Sequence, residues 1–233
     1  FCRYTKLFDA DAFRQFYEEF SRFQSRSRTI ASLTEISDLT KEWQLLADTQ
    51  RSFLPQKMPR IPKLQLAAYY KPLINVSGDY YSVLPIDKNK TLLLLGDVSG
   101  KGLAAALIMG LVVNTLKIIG DKEDIENIIR EIDRAIKNMK LQDKYTVLFL
   151  GLVDTDAMTM RYVNASMSDP LVLTRAPDGY KIKPLASNAS LVGIIDLGDI
   201  TVEERKLYRG DMILIASDGL SEIMNSDGIQ LGS

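Results

Sequence analysis

The sequence predicts an α+β fold behind an N-terminal helical extension, and three observations carry that prediction. Residues 1–54 contain neither Pro nor Gly and repeat apolar side chains at helical steps. Pro55, Pro59 and Pro62 then follow in quick succession, and none of them can continue a helix. From residue 64 onward, short apolar runs bounded by turn residues surround two adjacent helical stretches.

In the extension, Phe13, Phe16, Phe20 and Phe23 alternate three- and four-residue steps, the stripe of an amphipathic helix. Ser32, Leu33, Thr34 and Glu35 have capping-box spacing, so a second helix is expected beyond them. Ile36, Leu39, Trp43, Leu46, Gln50 and Phe53 then share one heptad seam. Pairing of this seam with a second copy and packing on the chain's own body both fit the pattern, and a polar Gln50 within it favours a specific pairing.

After the prolines, strands are expected at residues 64–71, 80–86 and 91–95, and the four consecutive leucines of the third suit a strand buried on both faces. Residues 102–119 are apolar almost all round and predict an interior helix. Ile125, Ile128, Ile129, Ile132, Ile136 and Met139 form the stripe of an amphipathic helix opened by Asp121. Further strands are expected at residues 145–153, 159–164, 171–175, 202–207 and 212–217.

Composition narrows the chemistry. Of 233 residues, 46% are hydrophobic and 25% charged, a globular balance with core-forming capacity. The 29 basic and 30 acidic residues leave a net charge of −1, which disfavours nucleic acid as a partner. There is no histidine, which excludes imidazole catalysis and His-ligated zinc, and the single Cys2 excludes an intramolecular disulfide. The longest apolar run, residues 103–113, falls short of the roughly 20 residues that cross a bilayer. A chain that begins at Phe1 reads as a piece of a longer polypeptide. The chemistry left to it is that of carboxylates.

Two segments place an acid after an apolar strand, with a Gly-containing turn and a helix to follow: Leu92 to Gly102, carrying Asp97, and Met212 to Leu220, carrying Asp218. Asp79 stands beside Gly78 as a third acid of this kind. Carboxylates and backbone carbonyls are ligands for Mg²⁺ or Mn²⁺, and three acids gathered without basic partners are costly unless a cation neutralises them. The pairs Asp178-Gly179, Gly198-Asp199, Gly210-Asp211 and Asp227-Gly228 read as ordinary turns. The loop from Gly96 to Gly102 is not a nucleotide-binding P-loop, because its spacing fails and Gly102 stands where a hydroxyl is required. Lys101 reads as a solvated lysine.

On these residues the chain resembles the metal-dependent protein phosphatase (PPM, type 2C-like) family, in its bacterial SpoIIE/RsbU-type branch. The matching stretches are residues 50–55 (Gln50 to Pro55), 70–72, 76–81 (Val76-Ser77-Gly78-Asp79-Tyr80-Tyr81), 96–102, 162–165 and 210–222. The resemblance implies an α/β/β/α sandwich of two mainly antiparallel sheets flanked by helices. It implies two Mn²⁺ or Mg²⁺ ions, with Asp97 bridging them, Asp79 and the Val98 carbonyl holding one, and Asp218 holding the other. Asp97 and Asp218 are then the catalytic residues.

The implied reaction is hydrolysis of a phosphoserine or phosphothreonine on a regulatory protein, a STAS-type anti-anti-sigma factor in this branch. The implied setting is cytoplasmic, free or tethered through an upstream region. Residues 1–58 become a helical regulatory linker and possible dimerisation element, and residues 59–233 the phosphatase domain, cut short at its C-terminus. Ser77 replaces the first Gly of the family's Gly-Gly-Asp, Ser82 stands where an Asp is usual, and Ser166-Met167 replace Gly-His. The family's final helix and its strand bearing an Asp-Asp pair would follow Ser233. The competing expectation is a catalytically impaired phosphatase fold that binds a signalling partner.

Overall fold

The structure is a computed structural model and describes residues 9–72, 76–225 and 230. The chain divides into two compact units, one ending at Leu46 and the other beginning at Ala47. In the first, helix α1 (Ala10–Phe53) starts at Asp9, whose carboxylate accepts from the Asp11 and Ala12 amides. No helix break occurs at Ser32 to Glu35, contrary to the two-helix expectation. The Thr34 hydroxyl donates back to the Ile30 carbonyl at 3.0 Å, a bond made inside a helix, and no Pro or Gly interrupts the run. Phe16, Phe20 and Phe23 remain exposed along it.

The second unit opens with the last turns of α1, where Ala47, Gln50 and Leu54 are buried. Gln50 is not a polar position in an intermolecular seam. Its amide is used within this unit, on Ser77. Residues 64–71 form no strand and make only an isolated bridge, Ile61 to Leu64. Side chains hold this segment instead, Leu64 against the core between the sheets and Tyr70 against Tyr81.

Two antiparallel sheets follow. The five-stranded one has the order β1 (Tyr80–Pro85), β2 (Lys90–Val98), β3 (Thr146–Asp154), β4 (Thr159–Ala165), β7 (Glu203–Lys206). The three-stranded one has the order β6 (Gly179–Pro184), β5 (Leu171–Ala176), β8 (Met212–Leu214). Helices α2 (Leu103–Ile118) and α3 (Ile125–Asn138) complete the unit.

β2 is apolar on both faces because it serves two cores. Leu92 and Leu94 join α2 and α3 in one cluster, and Leu93 and Leu95 pack against a second with Phe149, Tyr162 and Val172. The layers are therefore helices, large sheet and small sheet, an α+β sandwich. Among the described residues, α2 and α3 pack on the large sheet and not on the small one.

The start of α3, the end of β8 and the presence of β6 differ from expectation. Asp124, not Asp121, caps α3 by accepting from the Asn127 amide at 3.0 Å, while Asp121 accepts from Glu123 in the preceding turn. β8 ends at Leu214 rather than Ser217, since it pairs with β5 over only three residues. β6 was not expected at all. Its six positions are exposed, so it lacks a buried face, yet Pro177-Asp178-Gly179 carries the turn chemistry that joins it to β5. Asp227-Gly228 lies outside the described residues.

Candidate metal centre

The ladder between β1 and β2 sets the geometry. Tyr80 faces Gly96, so one further step sets Asp79 opposite Asp97 at the strand ends. Gly96 is required there because any Cβ would overlap the buried Tyr80 phenol. Beyond the ladder, the Val98 amide donates to the Gly78 carbonyl at 3.2 Å. A Cβ on Gly78 would stand 2.6 Å from both Asp97 Oδ1 and the Val98 carbonyl oxygen. A carboxylate oxygen and a backbone carbonyl thus converge on one small space that only glycine leaves open.

Asp79 is held by its neighbour. The Ser77 hydroxyl donates to Asp79 Oδ2 and accepts from the Asp79 amide, both at 3.1 Å. The other carboxylate oxygen, Oδ1, is buried and has no hydrogen-bond partner among the described residues. A buried acceptor of this kind costs stability unless something takes its lone pairs.

Asp97 is half-buried. Burial raises its pKa from 3.8 to about 7, and the negative charges of Asp79, Asp218 and Glu222 push in the same direction. Among the described residues, none of the ion pairs involves Asp79, Asp97 or Asp218. Asp218 sits exposed in a short 3-10 turn (Asp218–Leu220) after β8, and its charge acts on Asp97 less strongly than that of Asp79. Among the described residues, no three acids stand close enough to form a complete ligand group. Asp79, Asp97 and the Val98 carbonyl are drawn together at the strand ends, while Asp218 adds a smaller charge effect on Asp97.

This donor set fits a hard divalent cation, being all oxygen, net negative, and including one carboxylate atom with no protein partner. Residues 87–233 match the family model described as Stage II sporulation protein E (SpoIIE). The chain belongs to the SpoIIE family. Protein IcfG of Synechocystis sp. is 23% identical over 201 residues, which cover 74% of this chain and 31% of that protein. Phosphoserine phosphatase RsbU of Bacillus subtilis is 23% identical over 192 residues, covering 82% of this chain and 56% of that one. The chain therefore spans about a third of one relative and about half of the other. The SiaA-PP2C domain of Pseudomonas aeruginosa shares the fold, with a TM-score of 0.69 and 22% identity over 84% of this chain and 79% of that one.

For a SpoIIE-family chain, three contributors escaped the sequence reading. Gln50 read as a seam position and Ser77 as a missing glycine, yet both fix the loop that carries Asp79. Glu222 lies in the quoted Asp218 stretch and adds charge to Asp97 without having been assigned a role. Lys101 is exposed, as expected. No helix among the described residues is long and apolar enough to cross a membrane.

Proposed function

We propose that the chain is a metal-dependent protein serine/threonine phosphatase acting on a phosphorylated regulatory protein, an anti-anti-sigma factor of the STAS type. The observation that carries this reading is the convergence of Asp97 Oδ1 and the Val98 carbonyl on Gly78, beside the partnerless Oδ1 of Asp79. Asp79, Asp97 and the Val98 carbonyl would hold one Mn²⁺ or Mg²⁺, and Asp97 with Asp218 a second. Bound there, such ions lower the pKa of a coordinated water and offset charge on a phosphoryl oxygen.

The protein's own part is orientation. The β1–β2 ladder fixes the spacing of Asp79 and Asp97, Gly78 keeps the space between them open, and Ser77 leaves one Asp79 oxygen uncommitted. No histidine or protein nucleophile is required, in keeping with the composition. The similarity to RsbU of Bacillus subtilis, a phosphoserine phosphatase, supports the substrate class.

In this reading residues 1–58 act as a regulatory linker and residues 59–233 as the cytoplasmic catalytic domain. The exposed Phe16, Phe20 and Phe23 of α1 support pairing of the linker with a second copy. A second reading, a phosphatase fold that binds a signalling partner without turnover, draws on the lack of a three-acid ligand group among the described residues. Phosphate release from a phosphoserine protein, assayed with Mn²⁺ and compared with Asp97→Asn, separates the two. Turnover that falls at least about 100-fold in the variant supports the enzyme. Absence of turnover across divalent metals with retained partner binding favours the second reading.

A further inference from the structure

Gln50 lies on the last turns of α1 and is 3% exposed, an unusual burial for a residue with four hydrogen-bonding sites. It grips both peptide groups of one residue. Its Nε2 donates to the Ser77 carbonyl at 2.6 Å, and its Oε1 accepts from the Ser77 amide at 3.1 Å. A side-chain amide used in this way imitates a neighbouring β-strand, fixing the Ser77 backbone in both rotation and height. The Ser77 side chain then carries that constraint two residues on, to the amide and Oδ2 of Asp79. At the far end of the relay is Asp79 Oδ1, buried without a partner.

We propose that Gln50 is a positioning residue for the metal centre, clamping Ser77 so that Asp79 presents its free oxygen beside Asp97. This rests on the metal-dependent reading above. Four hydrogen bonds make up the relay, two between Gln50 and Ser77 and two between Ser77 and Asp79, and each is present. A residue serving only to pack α1 on the domain would have no need for a paired donor and acceptor, because leucine fills a similar volume without burying polar atoms. The donor half and the acceptor half of the amide are both consumed on Ser77, which makes glutamate and leucine informative replacements. Glutamate keeps the shape and the acceptor but turns the donor into a second acceptor facing the Ser77 carbonyl. Leucine removes both bonds.

The test is a double-mutant cycle on the full chain, with Mn²⁺ affinity measured by titration calorimetry and folding followed separately by thermal denaturation. Gln50→Leu and Ser77→Ala should each raise the Mn²⁺ dissociation constant about 10-fold or more, in the range of partners that orient metal ligands. The double variant should be little worse than the weaker-binding single one, because both changes cut the same relay. Should Gln50→Leu not fold, Gln50→Glu takes its place with the same expected loss.

A folded Gln50 variant whose Mn²⁺ affinity stays within about 2-fold of the parent overturns the proposal, whatever its melting temperature. So does a double variant whose loss is the full product of the two single losses. Asp97→Asn is the control that separates the two levels. If it leaves Mn²⁺ binding unchanged, the metal-centre reading fails and takes the clamp with it. If it abolishes binding while the Gln50 variants bind normally, only the clamp fails.

Discussion

The Tyr80 hydroxyl lies 2.7 Å from Thr146 Oγ1, with both residues fully buried. Thr146 in turn donates to the Asp97 carbonyl at 2.8 Å. A chain of two hydrogen bonds therefore runs from β1 through β3 to the backbone of the strand that carries Asp97, beneath the acid itself. Burial raises the Tyr80 pKa and keeps the phenol neutral, so it remains a donor throughout the working range. Tyr80→Phe removes the first bond and leaves the ring. It should cost about 1 kcal/mol of stability, read from the midpoint of urea denaturation at unchanged slope.

Gly78 faces the same strand end from the other side. Gly78→Ala would drive a methyl to 2.6 Å from both Asp97 Oδ1 and the Val98 carbonyl. The Val98 carbonyl cannot withdraw freely, since the Val98 amide is tied to the Gly78 carbonyl by a backbone bond. The variant should bind Mn²⁺ at least about 10-fold more weakly, measured by titration calorimetry.

The pH dependence follows from Asp97. Its folded-state pKa is raised from 3.8 to about 7, chiefly by burial and then by Asp79, Asp218 and Glu222. A carboxyl with a raised pKa favours the folded state while it is protonated. Its contribution is therefore complete below about pH 4 and is lost as the pH rises to about 7. The metal-free parent should lose melting temperature relative to Asp97→Asn across that interval, and saturating Mn²⁺ should remove the loss. Parallel melting curves for the two proteins at every pH would contradict this.

The sequence made the apolar framework legible and left the polar fixings obscure. The isoleucine stripe of α3 and the leucine run of β2 are repeated, periodic signals, and both elements stand where the periodicity sets them. Asp79, Asp97 and Asp218 stand out in the sequence because each is an acid beside a glycine near a strand terminus. Gln50 and Ser77 carry no such signature, because their partnership spans 27 residues and depends on the fold bringing a helix end to a loop. The capping-box pattern at Ser32 misled for the opposite reason. A local motif predicts a helix start only where the preceding residues do not themselves continue the helix.

The helical layer offers a check on the framework alone. Ile132 is fully buried among Ile128, Ile129 and Ile136 against the large sheet. Ile132→Ala should cost about 2–5 kcal/mol in urea denaturation, with Mn²⁺ affinity retained wherever the chain remains folded.

Anomalous scattering from crystals soaked in Mn²⁺ examines the metal centre most directly. The account predicts a peak within about 2.5 Å of Asp97, Asp79 and the Val98 carbonyl, with a second shared by Asp97 and Asp218. A well-ordered crystal with no anomalous density at the ends of β1 and β2, or with Mn²⁺ bound only to acids elsewhere on the surface, would contradict it.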